Sequence, residues 1–383
     1  MKKLLLILLC LPFIGFGQQT YVPDDNFEQE LINLGYDNVL DDYVVTSNIN
    51  TVTDLSVTAM NISDLTGIED FTALQWLSCS YNQLTSLDVS NCTNLLELQC
   101  VDNQLTALNV SQCNNMWQLF CHNNQLTTLD VSNCTGLYSF RCSNNQLTSL
   151  DVSNCTDLTV LNCSNNQLTT LDVSGCQNLT GIHCYNNFLS SLDVSGCQNL
   201  WSFWCSNNNL TYLDLSNNHY LAEIECEENS ITSLEIEILW SDTVQVYLSC
   251  DYNALTCLDL SNSTCGFELS CNNNLLDQLY LNNGNWNVIA IVDASINNLS
   301  CVEVDNIGYA NANWASSFDN GVSFSTNCNY ANPCNTSSAI QEHTTNNELL
   351  KVTDILGRET KNTNQPLLYI YDDGTVEKRI VIE

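Results

Sequence analysis

Cysteine is the residue whose number and spacing first suggest chemistry, since the 383-residue chain contains 22 of them. One set recurs every 21 residues, at Cys79, Cys100, Cys121, Cys142, Cys163, Cys184, Cys205 and Cys226. A second set has the same period, at Cys92, Cys113, Cys134, Cys155, Cys176 and Cys197. Zinc sites need ligands clustered at short spacings, so this pattern argues against a metal site. We expect most of these thiols to be small buried apolar groups, with disulfides between the two sets as the alternative.

Catalytic chemistry finds little support in the other polar residues. The four histidines belong to no recognisable catalytic motif, and no phosphate-binding, dinucleotide-binding or zinc-protease motif occurs in the sequence. Neighbouring carboxylates are common, but a chain with 43 acidic residues produces them by chance. We therefore predict a protein that is not an enzyme, with no catalytic residue, no cofactor and no metal site.

An aspartate column leaves two explanations open. Most repeats contain the segment Leu-Asp-Val-Ser or a close variant, which places Asp88, Asp130, Asp151, Asp172, Asp193 and Asp214 in one column, with Asn109 as an interruption. Stacked carboxylates repel each other, and calcium could bridge them because it prefers oxygen ligands. The second explanation, which we favour, is that each aspartate caps the backbone of its own turn.

The elements that position these columns follow from the repeat itself. The unit between Leu95 and Leu108 reads L-x-x-L-x-C-x-x-N-x-L-x-x-L, and close variants recur about every 21 residues. Leu98 and Cys100 are two residues apart, so they face the same side of a strand and point into the coil. Stacked coils would bury that face together. The amide of Asn103 can both donate and accept, so we expect its column to satisfy turn backbone groups in neighbouring coils.

This unit resembles the leucine-rich-repeat motif, with Cys100 where the motif usually has leucine. The segment 62–77 is also similar to the bacterial surface repeats of internalins, and the resemblance covers roughly residues 50–300. It implies an α/β repeat class that is mostly β: a solenoid of about eleven parallel strands over residues 51–300. Val89 and Cys92 should point inward from the second wall, which we expect to be extended because Asp-Val-Ser gives no helical signal.

The ligand face is predicted from side chains that point outward between the inward residues of each strand. That column does not repeat, although its neighbours do, and it contains large aromatic residues whose exposure on a rigid sheet is unusual. With flanking positions it gives the predicted ligand-binding residues Phe120, His122, Arg141, His183, Tyr185, Trp204 and Glu225. These types are common at interface anchors, although aromatic rings could also stack on sugars. Unconstrained drift is the alternative.

The two ends carry separate signals. Residues 1–17 have a positive start and a short apolar run, which indicates a cleaved signal peptide, and no later stretch could span a membrane. Residues 18–50 suit an N-terminal cap with a helix that contains Phe27 and Leu31. Residues 301–338 suit a C-terminal cap and linker, and we expect one disulfide among Cys301, Cys328 and Cys334.

The last segment, residues 339–383, resembles the C-terminal sorting domain of the type IX secretion system, with a small β tail. The resemblance rests on Asp354-Ile-Leu-Gly-Arg358, Tyr369-Ile-Tyr, Gly374 and Lys378-Arg-Ile-Val. The Pro-Asn-Pro segment common in such domains is absent from this sequence. The resemblance implies the type IX machinery as a partner and a protein that is secreted or on the outer cell surface. An ordinary hairpin cap is the alternative.

Charge excludes one class of partner. The net charge is −35, and a nucleic-acid binder would need clustered lysine and arginine. We therefore predict an exported binding scaffold that recognises a protein or glycan ligand through its concave sheet. The alternative is a structural cell-surface or adhesion component without a specific ligand.

Overall fold

The structure, a computed structural model, describes residues 17–240, 245–284 and 291–330, residue 334, and three strands of the C-terminal segment. All but the last residue of the predicted signal peptide lies outside the described residues. The chain forms two compact units, residues 1–334 and 335–383. Among the described residues, none of the helices has the length and apolar character that a membrane crossing requires.

A long parallel sheet forms one wall of the first unit. Within the described ranges it has twelve strands, one more than expected, and neighbouring strands pair in register. Each strand is short because the coil must turn again within 21 residues. The strands are Asp54–Ser56, Trp76–Ser78, Glu97–Gln99, Gln118–Phe120, Ser139–Arg141, Val160–Asn162, Gly181–His183, Ser202–Trp204, Glu223–Glu225, Gln245–Ser249, Gly266–Ser270 and Ile291–Asp293.

The second wall is extended, as predicted, and the described residues from 72 to 284 contain no helix. Its strands form short parallel groups: Ser86–Asp88 and Ala107–Asn109; Tyr212–Leu215 and Ser233–Ile236; and Cys257–Asp259, Gln278–Tyr280, Cys301–Glu303 and Ser323–Ser325. Val89 and Cys92 are fully buried on this wall, opposite the buried pair Leu98 and Cys100 on the long sheet. The apolar core therefore runs between the two walls from coil to coil.

The asparagine column links neighbouring coils. The Asn145 Nδ2 donates to the carbonyl oxygens of Cys121, in the preceding coil, and Cys142, both at 3.1 Å. Its Oδ1 accepts the Leu126 amide at 2.9 Å. Asn103 repeats the pattern, so the prediction for this column is confirmed. Each rung satisfies backbone groups that a solenoid turn would otherwise bury without partners.

The column cysteines are buried and reduced, which confirms the apolar interpretation over bridges between the columns. The second column also has a polar role, because the Cys113 and Cys176 thiols lie 3.4 Å from the carbonyl oxygens of Val89 and Val152. In the coil after Cys197, Asn218 takes the cysteine position, and its Nδ2 donates to the carbonyl oxygens of Val194 and Cys197, at 3.0 and 2.9 Å. The position therefore selects a small hydrogen-bond donor.

Residues 18–50, predicted to be an N-terminal cap, share the apolar core of the coils through Phe27 and Leu31. Strands Gln19–Tyr21 and Tyr43–Val45 pair antiparallel, and the predicted helix is present at Asp25–Asn33, followed by Thr46–Ile49 and a 3-10 turn at Ile68–Asp70. Asp24 begins the first helix by accepting the amides of Asn26 and Phe27. The buried Glu28 carboxylate accepts three backbone amides between residues 41 and 43, which ties the helix to the second strand.

The C-terminal end of the first unit has helix Ile307–Asn313, a 3-10 turn at Ala315–Ser317 and two disulfides. One joins Cys301 to Cys328, which confirms the bridge predicted among Cys301, Cys328 and Cys334. The other joins Cys334 to Cys257, which the sequence had not indicated as a partner.

The second unit shows three antiparallel strands, Leu349–Asp354, Leu367–Tyr371 and Val376–Arg379. The β tail is therefore present. Of the residues that carry the sorting-domain resemblance, 355–358, 374, 380 and 381 lie outside the described residues.

Candidate functional site

The predicted ligand-binding residues lie on one face of the long sheet. Phe120 pairs in register with Arg141, and His183 pairs with Trp204, which pairs with Glu225. Each residue ends its strand. Because neighbouring strands of a sheet lie about 4.8 Å apart, the column advances by that distance per coil. His122 and Tyr185 lie two residues beyond the strands that end at Phe120 and His183. We call these seven residues the concave surface.

Phe120 and Arg141 form the first contact on the concave surface. The Arg141 guanidinium carbon is 5.2 Å from the centre of the Phe120 ring, within the range of a cation–π interaction. Arg141 is exposed, whereas Phe120 is half-buried. The guanidinium therefore remains available to a ligand while its position is restricted.

His183, Trp204 and Tyr185 form an aromatic cluster two coils further on. The His183 and Trp204 rings are stacked, with centres 3.9 Å apart and planes inclined by 10°. The Tyr185 ring is tilted against Trp204, at 6.5 Å. The His183 Nε2 is also 3.3 Å from the Ser202 hydroxyl, which donates to the Glu223 carboxylate at 3.2 Å. These contacts hold three half-buried rings in a fixed arrangement.

Burial keeps the two histidines of this surface neutral. It lowers the pKa of His183 to about 4, and the positive charge of Arg141 adds to the effect. Burial also lowers the pKa of His122, helped by Arg141 and opposed by Asp102. At neutral pH both rings are therefore uncharged, and Arg141 provides the positive charge of the surface.

The opposite end of the concave surface is acidic. Glu223, Glu225 and Glu227 alternate along one coil, and burial together with repulsion from the other two raises the pKa of Glu225. Sequence reasoning missed two neighbours, Tyr247 and Asp251, because the insertion before residue 250 breaks the 21-residue period. The pKa of Asp251 is raised mainly by burial. The surface therefore changes from aromatic and cationic to anionic over a few coils.

Several polar atoms on this face have no hydrogen-bond partner among the described residues. They are buried, and they belong to His122 (Nδ1), Trp204 (Nε1), Ser206 (Oγ) and Glu227 (Oε2). A buried polar group without a partner costs free energy, about 1–3 kcal/mol in typical cases. Hydrogen-bonding groups of a ligand would remove that cost.

A groove of about 380 Å³ lies at the N-terminal end of the same sheet. Leu34 from the N-terminal cap and Trp76 from the second strand are among its lining residues. Sequence reasoning missed this groove because it depends on how the cap meets the first coils.

Each aspartate of the column accepts a hydrogen bond from the backbone of the turn that contains it. The Asp151 Oδ1 accepts the Ser153 amide at 2.9 Å, and Asp172 accepts the Ser174 amide at the same distance. These bonds lower the pKa of both carboxyl groups. The capping prediction is therefore confirmed, and within the described ranges no group of three or more potential ligands is arranged to hold a metal.

Burial makes the column cysteines weak acids. Burial raises the pKa of Cys121, Cys163 and Cys155 to about 12, so these thiols stay protonated at neutral pH. A thiolate is the reactive form of cysteine. The columns therefore serve packing and hydrogen bonding.

Comparisons with known proteins agree with this architecture. The fold is that of a leucine-rich-repeat solenoid, and the family described as Leucine Rich repeats (2 copies) matches residues 139–175. The chain is similar to Internalin J of Listeria monocytogenes serotype 4b, at 38% identity over 73 residues. That stretch is 19% of this chain and 8% of Internalin J, so the likeness concerns the repeats and a small part of the relative.

Two solved structures show the same fold. An internalin from Listeria monocytogenes, InlF, has a TM-score of 0.51 and 20% identity, covering 82% of this chain and 96% of its own. The ectodomain of the Arabidopsis thaliana receptor kinase GASSHO1/SCHENGEN3, in complex with CASPARIAN STRIP INTEGRITY FACTOR 2, has a TM-score of 0.53 and 19% identity, covering 67% and 37%. At this identity the likeness concerns the fold alone.

Proposed function

We propose that this protein is an exported, non-catalytic binding scaffold whose concave surface recognises a protein or glycan ligand. The observation that carries the proposal is the stacked pair His183 and Trp204, held on a rigid sheet beside buried polar atoms without partners. The core does not require this arrangement, because the residues that fill the core point to the other side of the strands. Interfaces concentrate their binding energy in such aromatic and arginine anchors.

The charge pattern supports one orientation of the ligand. Arg141 lies at one end of the concave surface, and Glu225 lies four coils along the column at the other. A ligand with acidic or hydroxyl groups at one end and donor groups at the other would match both. Complementary charge of this kind determines register and association rate more than affinity.

The test compares binding by the wild type with that by the F120A/W204A variant on a glycan array and in pull-down with candidate surface proteins. We expect a ligand bound by the wild type to be lost by the variant, with little change in the melting temperature. The F188A/Y212A variant is the control, since it removes two exposed rings from elsewhere. Because Trp204 is half-buried, the R141Q variant provides a second test at an exposed position. Undiminished binding of every ligand by both variants would exclude the concave surface.

We also propose that residues 1–17 are a signal peptide, that residues 339–383 are a type IX sorting domain, and that the protein reaches the medium or the outer cell surface. The support is the agreement of the two terminal signals in the sequence. Deletion of residues 339–383 should leave the protein in the periplasm. Normal export of the truncated protein would refute the sorting assignment while leaving the binding proposal intact.

A further inference from the structure

A second surface lies along the rim of the solenoid, at the residue before each strand of the long sheet. In consecutive coils this position holds Trp117, Tyr138 and Thr159. Their backbones are linked, since the Tyr138 amide donates to Trp117 and the Thr159 amide to Tyr138, both at 2.9 Å. The Trp117 side chain is 38% exposed and that of Tyr138 is 48% exposed. Two large rings are therefore presented to solvent by a rigid backbone.

Another asparagine column lies two residues before these positions, and three of its members link neighbouring coils. Asn94, Asn178 and Asn199 each donate from Nδ2 to the carbonyl oxygen 22 residues earlier, at 2.9, 3.0 and 3.4 Å. The column changes to Gly136 and Asp157 beside the exposed rings. Neither side chain can donate such a bond. In these two coils the bond is made three residues earlier instead, by Asn133 to the Ser111 carbonyl oxygen at 2.9 Å and by Asn154 to that of Ser132 at 3.4 Å.

The fold does not require a glycine at position 136. A Cβ atom there would meet only the Met116 carbonyl oxygen, at 3.7 Å, which is an ordinary van der Waals contact. The missing side chain has a different consequence, because it leaves open a groove of about 530 Å³. Its lining residues are Trp117, Gly136, Tyr138, Asp157, Thr159 and Asn178.

The polar groups of this groove include several hydrogen-bond acceptors. One N–H of the Asn178 Nδ2 donates to the Thr156 carbonyl oxygen, and the Asn178 Oδ1 accepts no hydrogen bond from the described residues. Thr159 donates to the Asp157 carbonyl oxygen at 3.3 Å. The Asp157 carboxylate is exposed and accepts no hydrogen bond from the described residues. A matching ligand therefore brings many donors together with an apolar face for the rings.

We propose that this rim groove binds an uncharged oligosaccharide. Sugar hydroxyl groups would donate to Asp157 and Asn178, and the apolar face of a pyranose ring would stack on Trp117 or Tyr138. Trp76 extends the aromatic row, with its ring edge-on to Trp117 at 6.4 Å. The groove has no basic lining residue, and the net charge of −35 repels anionic glycans. This site shares no residue with the concave surface and does not depend on the function proposed there.

The test titrates the full mature protein with uncharged oligosaccharides: cellohexaose, chitohexaose, maltohexaose and mannohexaose. Binding is measured by calorimetry and by tryptophan fluorescence. We expect the wild type to bind at least one of them. The G136N variant restores the usual side chain of the column, so it should keep or raise the melting temperature. Because that side chain fills the groove, affinity should fall at least tenfold, and Y138A should show a similar loss.

Two controls separate this site from others. F188A removes an exposed ring outside the groove and should bind like the wild type. F120A/W204A alters the concave surface and should also bind these sugars normally. The proposal is overturned if the wild type binds none of the four oligosaccharides at millimolar concentration. It is equally overturned if G136N and Y138A both bind a sugar as tightly as the wild type.

Discussion

The imidazole of His183 lies parallel to the indole of Trp204, with ring centres 3.9 Å apart, on adjacent strands of the long sheet. The stack shields the imidazole from water, and burial is the main cause of its low pKa. A protonated His183 would need a solvation that this position does not provide. The same contact that shapes the concave surface therefore makes it sensitive to acid.

Protonation of His183 should destabilise the protein below neutral pH. Its folded-state pKa is about 4, and an unperturbed histidine titrates near 6.5. Between these values the unfolded chain binds more protons, so the free energy of unfolding attributable to His183 rises with pH. It is fully present above pH 6.5 and is lost as the pH falls towards 4. The H183Q variant should lack this component, whereas acidic groups elsewhere act alike in both proteins.

The measurement is urea unfolding of the wild type and H183Q at several pH values from 4 to 7.5. The difference in unfolding free energy between them should change with pH in the stated direction. NMR titration of His183 provides the direct check. A His183 pKa near 6.5 in the folded protein would contradict the prediction.

The Asn145 side chain should be important for stability. It is buried, makes bonds to the carbonyl oxygens of Cys121 and Cys142, and accepts the Leu126 amide. N145A leaves the buried Leu126 amide without a partner, at about 1–3 kcal/mol for an unsatisfied group. It also removes one of the two asparagine bonds to each carbonyl oxygen, since Cys121 keeps its bond from Asn124 and Cys142 keeps its bond from Asn166. We expect a loss of at least about 2 kcal/mol in the free energy of unfolding, measured by urea titration. Q146A, at an exposed neighbour, is the control and should change little. Equal stability of the two variants would show that the column is not needed.

The repetitive parts of this structure could be predicted because every coil needs the same types of residue at the same positions. Leu98, Cys100 and Asn103 each stand for a column, so one period in the sequence fixes many contacts at once. The stacking of His183 on Trp204 occurs once and depends on side-chain rotamers, so the sequence placed these residues on one face without showing their contact. The Cys257–Cys334 bridge depends on the path of the chain after the repeats end.

The rim groove was signalled in the sequence by a break in a column. Asn94 and Asn178 occupy a column position that is taken by Gly136 and Asp157 in two other coils. Exposed aromatic rings lie beside Gly136 and Asp157. The sequence alone does not explain this break, whereas the three-dimensional structure shows that a Cβ atom would fit at Gly136. Departures from a repeat are thus more informative about binding than the repeat itself.

The cysteines should be unreactive in the native state. Of the cysteines within the described residues, seventeen are free and buried, and four form the two disulfides. Burial raises the pKa of the free thiols, for example to about 12 for Cys121, so little thiolate exists at pH 8. We expect almost no reaction of the native mature protein with Ellman's reagent, and 17 reactive thiols per chain after unfolding without reductant. Rapid labelling of the native protein would mean that the coils open, or that the thiols are not buried.

The aspartate column provides the last prediction. The Asp172 Oδ1 caps its turn through the Ser174 amide, at 2.9 Å, and this bond lowers the pKa of the carboxyl group. Because the folded pKa is depressed, the stabilisation is present above the ordinary pKa of aspartate and is lost as the pH falls below it. D172A removes the acceptor and should lower the melting temperature. D172N keeps an acceptor oxygen, as Asn109 does in the same column by accepting the Ser111 amide at 3.1 Å.

D172N should therefore melt between D172A and the wild type at neutral pH. Its amide oxygen still accepts the Ser174 amide, but it lacks the negative charge whose net effect on folding is favourable in spite of repulsion from Asp151 and Asp193. Thermal melts of the three proteins in calcium and in chelator complete the test. If the column only caps turns, calcium leaves all three melting temperatures unchanged. A calcium-dependent rise in the wild type that D172N lacks would show instead that a cation bridges the carboxylates, since an amide oxygen is a neutral and weaker ligand than a carboxylate.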